Sequence, residues 1–224
     1  MQVFDYGREL LKWIAIITMT VDHVGAVLYP ELDVLRWIGR LSFPLFAYLL
    51  MLGLENTRNV RNYFVRLFTF ALISQVPFFL ATGKQPFEML NIFFTLSLGL
   101  AFVYYFRKGS PIAFIPLLVS LVVSMDYGVY GIAIIGCMYI LLKNPKMGVV
   151  SLVALNAIFM VEISSQILSL AALPLIVLHQ SGYLAITKIN PDKRFRIPLW
   201  RKYFFYAYYP LHLALLYAIK VVFF

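Results

Sequence analysis

Charge is scarce in this 224-residue chain: 13% of its residues are charged, whereas 62% are hydrophobic and mean hydropathy is +0.84. Roughly a quarter of an ordinary soluble domain is charged, so this composition excludes a water-soluble fold and makes the bilayer the natural solvent. Cysteine is nearly absent. Cys137 stands alone in an apolar run, which rules out a disulfide framework and suits a small core side chain. The opening stretch MQVFDYGREL lacks a signal-peptide cleavage pattern, so the first apolar segment is expected to be retained. There is no Walker A loop, dinucleotide fingerprint or zincin helix, no cluster with metal-ligand spacing, and no serine in a nucleophile elbow. No metal is expected, and any enzyme built this way would lean on histidine with an activated donor supplied by the cell.

What is present is a series of apolar runs bounded by charge or by Pro and Gly: 10–29, 37–54, 63–81, 90–106, 111–125, 128–142, 147–162, 164–179 and 204–223. Most approach the ~20 residues needed to cross the hydrocarbon core. The fold expected is an all-α, polytopic membrane bundle of about nine helices, a single domain over 1–224. Three runs are short (111–125, 147–162 and 164–179), so 111–142 and 147–179 read either as paired spans or as shallow hairpins.

Alternate loops divide the 19 Lys and Arg unevenly, 15 to one side. The poor side holds only Arg36, Arg40, Lys84 and Lys220. By the positive-inside rule the N-terminus is expected in the cytoplasm of a multi-pass inner-membrane protein and the C-terminus outside. The net charge of +9 is then topology, spread over five loops instead of one face, so nucleic acid is not an expected partner. The one extended polar stretch, 180–203, carries six basic residues and is expected as a cytoplasmic loop broken by Pro191 and Pro198.

Ionisable side chains inside a span cost about 3 kcal/mol on insertion scales, which makes each a candidate for function. Asp22 and His23 are adjacent in TMTVDHVGAV, in the outer half of the first span. Neighbouring helical residues point ~100° apart, so Asp22 is not expected to hold the His23 ring directly. Either both face a polar cavity, His23 as a general base, or they are satisfied structural groups. Arg40 in RWIGRLSFPLF reaches a similar depth from the outside, to neutralise Asp22, to stabilise an oxyanion or to snorkel. Pro44 is expected to interrupt that helix. His212, Asp126, Gln75 and Asn91 are further candidates for lining a substrate cavity, with turn chemistry or helix–helix glue as the plainer alternatives. His179 reads as interfacial. A transporter or channel using Asp22, His23 and Arg40 as a relay is the rival class, although no matching pair of broken helices in two halves is evident.

The motifs LKWIAIITMTVDHVGAVLYP, RWIGRLSFPLFAYLL, NYFVRLFTFALISQVPF, NIFFTLSLGL, DYGVYG and KYFFYAYYPLHLALL together resemble the TraX family across nearly the whole chain. The pattern departs at His179, Gln180 and Ser181, where a tyrosine-asparagine-glycine type sequence is expected. The resemblance implies a link to N-terminal acetylation of conjugative pilin. It also implies kinship with transmembrane acyltransferases that carry an acyl group from cytoplasmic acyl-CoA to an acceptor across the membrane. By that resemblance His23 is the catalytic position, as general base or as acyl carrier, Asp22 and Arg40 are its nearest helpers, and His212 and Asp126 gain weight as substrate-binding candidates. Acetyl-CoA or another acyl-CoA is the expected donor, its phosphates drawn to Arg58, Arg66, Lys193, Arg194, Arg196, Arg201 and Lys202. The acceptor would be pilin, a glycan or a lipid.

Overall fold

The computed structural model describes residues 5–85, 88–159, 164–184 and 199–223. Lys188, Lys193, Arg194 and Arg196 of the expected basic loop lie outside these residues, as do the side chains of Arg201 and Lys202. The described residues form ten α-helices and two 3₁₀ segments, with no strand beyond an isolated Leu90–Met125 bridge. In chain order the helices are α1 (Tyr6–Val27), α2 (Asp33–Gly39), α3 (Ser42–Asn56), α4 (Val60–Thr82), α5 (Ile92–Phe106), α6 (Ile115–Val122), α7 (Gly128–Lys143), α8 (Pro145–Phe159), α9 (Leu173–Gln180) and α10 (Leu199–Phe223). The 3₁₀ segments Pro111–Phe114 and Ser164–Ala172 lead into α6 and α9.

Side-chain chemistry sets several boundaries. Asp5 Oδ1 accepts from the Arg8 N–H to cap α1, and Asn59 caps α4 through the Asn62 N–H. Gly83, in the left-handed region at φ 71°, ends α4. The run 37–54 is one span with an interruption: α2 stops at Gly39, and α3 begins at Ser42. Pro44 accounts for the break, since its missing N–H leaves the carbonyl of Arg40, four residues back, without its helical donor.

Four stretches are long and apolar enough to cross a bilayer: Tyr6–Val27, Asp33–Asn56, Val60–Thr82 and Tyr203–Phe223. The five shorter apolar runs also coincide with helical segments. Winding partly offsets the shortness of one of them. Nine residues of 3₁₀ helix at ~2.0 Å rise followed by the eight residues of α9 reach about 30 Å, the thickness of the hydrocarbon core.

The α3 helix is the central post. Phe43, Leu45, Ala47, Tyr48, Met51 and Leu54 are buried against α1, α5, α7 and the longer 3₁₀ segment. Buried polar groups join helices where apolar contact alone would not specify a register. Tyr130 Oη and Ser169 Oγ both donate to Asn156 Oδ1 at 3.0 Å, linking α7, α8 and the 3₁₀ segment. The outer faces are the reverse of a soluble protein's: Val65, Leu72, Ile73 and Val76 on α4 and Leu211, Leu215 and Val222 on α10 are exposed apolar side chains. Such surface is stable only against lipid.

The α7–α8 hairpin is so tight that a Cβ added to Gly148 would lie 2.2 Å from the Leu141 Cα. Gly148→Ala is expected to lower stability by roughly 1–3 kcal/mol, read as thermal unfolding in detergent beside Ser151→Ala. An unchanged melting temperature would contradict the close approach.

Candidate functional site

Adjacent on α1, Asp22 and His23 turn to different neighbours, as their ~100° separation requires. Asp22 faces α2. Its Oδ2 accepts from Arg36 Nη1 at 2.5 Å, and the same nitrogen reaches the Asp22 carbonyl at 3.1 Å. The carboxylate rests directly on Gly39, where a Cβ would come within 2.1 Å of Asp22 Oδ1. Gly25 on α1 is also close to α2, where an added Cβ would lie 2.7 Å from the Leu35 Cβ. Small residues on both helices thus permit the approach that the ion pair needs.

Arg36, not Arg40, is the direct partner of Asp22. Arg40 ends the helix, lies against the Tyr127 hydroxyl, and acts electrostatically on Asp22 and Asp126. Its Nε is buried without a hydrogen-bond partner. The two arginines sit at i and i+4, one above the other on the same helical face. That spacing is the signal in the sequence by which Arg36 could have been found beside Arg40, the one cation singled out there.

His23 faces α10. Its Nδ1 lies 3.0 Å from the Met19 carbonyl and 3.1 Å from Nε2 of His212, while His212 Nδ1 lies 2.9 Å from the Tyr208 carbonyl. A carbonyl only accepts, so both rings carry hydrogen on Nδ1. His23 Nδ1–H is therefore shared between Met19 O and His212 Nε2, and His23 Nε2 keeps an uncommitted lone pair. One turn lower, Thr20 and Tyr208 join the same two helices through their hydroxyls at 2.8 Å. Tyr209 stands edge-on to both imidazoles, and Tyr208 stacks on His212 at 5.2 Å.

Asp126 enters from the turn between α6 and α7. Its N–H donates to the Leu90 carbonyl at 2.8 Å, and its carbonyl accepts from Thr95 Oγ1. The next residue, Tyr127, has φ 63°, a left-handed conformation that costs a non-glycine residue about 1–3 kcal/mol. Its ring, stacked on Phe43 at 4.2 Å, helps hold that conformation. Burial pushes the Asp126 carboxyl up to about 6 from its ordinary 3.8; the Asp22 charge adds to this, and Arg36, Lys84 and Arg40 oppose it.

Gln75 and Asn91 use their hydrogen-bonding capacity on each other and on the backbone. Gln75 Oε1 accepts from the Asn91 backbone N–H at 3.0 Å and from its Nδ2 at 2.8 Å. Gln75 Nε2 donates to Met89 O, Asn91 Nδ2 to Ala71 O, and Asn91 Oδ1 caps α5 through Phe93 N–H. This lock fixes Leu90, which in turn holds the backbone of Asp126.

The expected residues therefore fall into separate groups. Asp22, His23, Arg40, Asp126 and His212 gather with Arg36, Gly39 and Tyr127 toward one end of the bundle. Arg58, which is exposed, and Arg66 lie at the opposite end, near the starts of α1 and α4. His179 stands in the last turn of α9, with its side chain held by two partners. It is 8% exposed, its Nδ1 lies 2.9 Å from Tyr48 Oη, and its Nε2 lies 3.1 Å from Asp5 Oδ2. A span end gives no sign of such a partner, because Asp5 is 174 residues away in sequence. Among the described residues no cluster of His, Cys, Asp and Glu is arranged to hold a metal ion.

Arg36→Gln is expected to cost about 2 kcal/mol, below the usual loss on breaking a buried pair because Arg36 is 32% exposed. Adding Asp22→Asn should restore part of that loss in thermal unfolding; strict additivity would mean the two side chains are uncoupled. For Asp126, folding penalises the charged form. The penalty is absent below about pH 4 and complete above about pH 6. Asp126→Asn should therefore gain stability relative to the parent as pH rises through that window, and a constant melting offset from pH 4 to pH 7 would contradict this.

The sequence pattern of the family described as "TraX protein" matches residues 7–220. "Protein TraX" of Escherichia coli is 27% identical, the match covering 93% of this chain and 85% of that protein. The "Probable fimbrial assembly protein FimC, serogroup H1" of Dichelobacter nodosus is likewise 27% identical, over 97% of both chains. An uncharacterized protein of Rickettsia prowazekii is 32% identical over 102 residues, which are 46% of this chain and 38% of that protein. No solved structure matches the chain. With its long lipid-facing helices and a family pattern spanning almost its full length, this multi-pass membrane protein belongs to the TraX family.

Proposed function

We propose that this protein is a transmembrane acyltransferase, most simply an acetyltransferase, that moves an acyl group from cytoplasmic acyl-CoA to an amine or hydroxyl on the far side of the inner membrane. The observation that carries the reading is the His23–His212 hydrogen bond, which leaves His23 Nε2 a free base beside the Asp22, Arg36, Arg40 and Asp126 cluster. The uneven loop charge supports a cytoplasmic N-terminus and nine crossings, with the histidine pair toward the outer face. The fimbrial name of one relative makes a pilin N-terminus a natural acceptor; a glycan or lipid offers the same chemistry.

In this mechanism His23 Nε2 takes the proton of the acceptor as its nitrogen or oxygen attacks the thioester carbonyl carbon. The developing imidazolium is held in orientation by His212 and the Met19 carbonyl, both accepting from Nδ1–H. Arg40, whose Nε has no partner, stabilises the tetrahedral oxyanion. The carbon–sulfur bond then breaks, and the departing thiolate receives the proton from His23. The products are the acylated acceptor and free CoA. Asp22 and Arg36 position Arg40 and set the local charge.

Purified protein given radiolabelled acetyl-CoA and candidate acceptors should transfer label and release CoA. His23→Gln should lower that rate by about 10²–10⁴-fold, the usual contribution of a general base, and His212→Gln by less. Absence of CoA release and of transfer with every acceptor would overturn the proposal. Undiminished activity in His23→Gln would remove His23 from its role while sparing the reaction class.

A further inference from the structure

Two adjacent tyrosines on α10 flank the histidine pair, and they use their hydroxyls differently. Side chains of neighbouring helical residues point ~100° apart. Tyr208 stacks on His212 and meets Thr20 of α1 at 2.8 Å. Thr20 Oγ1 already donates to the Ile16 carbonyl at 2.8 Å, so in the Thr20 pair it is the Tyr208 hydroxyl that donates, and its hydrogen is committed.

Tyr209 stands three residues before His212, which puts both side chains on one face of α10. Its ring centre lies 5.8 Å from that of His23, 5.5 Å from that of His212 and 5.2 Å from that of Phe93 on α5. The residue is 2% exposed, and among the described residues its hydroxyl is buried without a hydrogen-bond partner. The backbone group that acts on this oxygen is the Ile92 N–H, at the first residue of α5. An N–H only donates, so it offers the phenolic hydrogen no acceptor. The charges of Asp126 and Asp22 act on the same hydroxyl from across the cluster. Aromatic contacts thus hold the ring in place beside His23, and its donor is left over.

A buried donor without an acceptor bears the full cost of its desolvation, unless a ligand supplies the acceptor. Beside a general base, that acceptor is not the attacking nitrogen or oxygen. A hydrogen bond to the nucleophile's lone pair would hold back the electrons that form the new bond. The thioester carbonyl oxygen only accepts, and it gains negative charge as the attack proceeds.

We propose that Tyr209 is a catalytic residue of the acyl transfer, whose hydroxyl donates to the thioester carbonyl oxygen and keeps that bond through the tetrahedral intermediate. The assignment rests on the acyltransferase reading and deepens it. As the acceptor bonds to the carbonyl carbon, the carbonyl π pair moves onto the oxygen, and Tyr209 and Arg40 share the resulting charge. The pair then returns and the carbon–sulfur bond breaks. The phenol keeps its proton throughout, and His23 alone carries the acceptor's proton to the departing thiolate.

Infrared spectroscopy of acetyl-CoA isotopically labelled at its carbonyl, bound to the purified protein in detergent, reads this contact without any acceptor present. The bound carbonyl stretch should fall below that of free acetyl-CoA in the parent, return part of the way in Tyr209→Phe, and stay low in Tyr208→Phe. Fluorotyrosine in place of Tyr209 is a stronger donor and should lower the stretch further. That variant keeps the test open if melting shows Tyr209→Phe to be unfolded. In turnover with candidate acceptors, Tyr209→Phe should reduce kcat by roughly 10²-fold, the usual worth of one oxyanion donor, and leave KM nearly unchanged. No lowering in the parent, the same lowering in folded Tyr209→Phe, or an equal loss of kcat in Tyr208→Phe would overturn the role of Tyr209 and leave the acyltransferase reading standing. A parent that neither binds acetyl-CoA nor releases CoA would strike the reading itself, and the role of Tyr209 with it.

Discussion

A carboxylate at membrane depth must be neutralised where it stands, and the placement of Asp22 follows from that requirement. Its partner Arg36 comes from the next helix, and the 2.5 Å contact forms because Gly39 offers no side chain in the carboxylate's path. Seating Asp22 on Gly39 fixes the α1–α2 hairpin in both height and rotation. Rotation about α1 then leaves His23 no direction but toward α10. The histidine pair is in this sense a consequence of an ion pair in which it takes no part.

The remainder of that end is organised by contacts at one remove. Gln75 and Asn91 saturate each other across α4 and α5, and their lock sets Leu90. Leu90 pairs its backbone with Ser124 and Asp126, and Tyr127 is then driven into a conformation that non-glycine residues avoid. Strain of this kind persists where surrounding contacts over-determine it. Here Phe43 and Thr95 supply those contacts.

Much of this was legible in the sequence, for a physical reason. In a membrane the hydrophobic runs are the helices, so each of the nine runs found its segment, and the rarity of ionisable side chains in them singled out Asp22, His23, Arg40 and His212. Partner choice was less legible. Arg36 and Arg40 lie one helical turn apart beyond the turn at Pro30, and only the helix break at Arg40 and the absent side chain of Gly39 decide which of them meets Asp22. Gln75 and Asn91 were visible as polar residues in apolar runs, yet nothing in one dimension tells a mutual lock from a cavity lining. The burial of His179 depends on Asp5, from the other end of the chain, and no local pattern encodes such a meeting.

The nine-residue 3₁₀ segment Ser164–Ala172 bears on how the protein meets its solvent. Runs of this winding longer than three or four residues are uncommon, and each residue in one spans ~0.5 Å more than in an α-helix. Rewinding all nine would shorten the segment by about 4–5 Å, comparable to the difference in thickness between thin and thick biological membranes. The looser winding therefore works as stored length, letting a run of 17 residues reach as far as about 20 α-helical ones would.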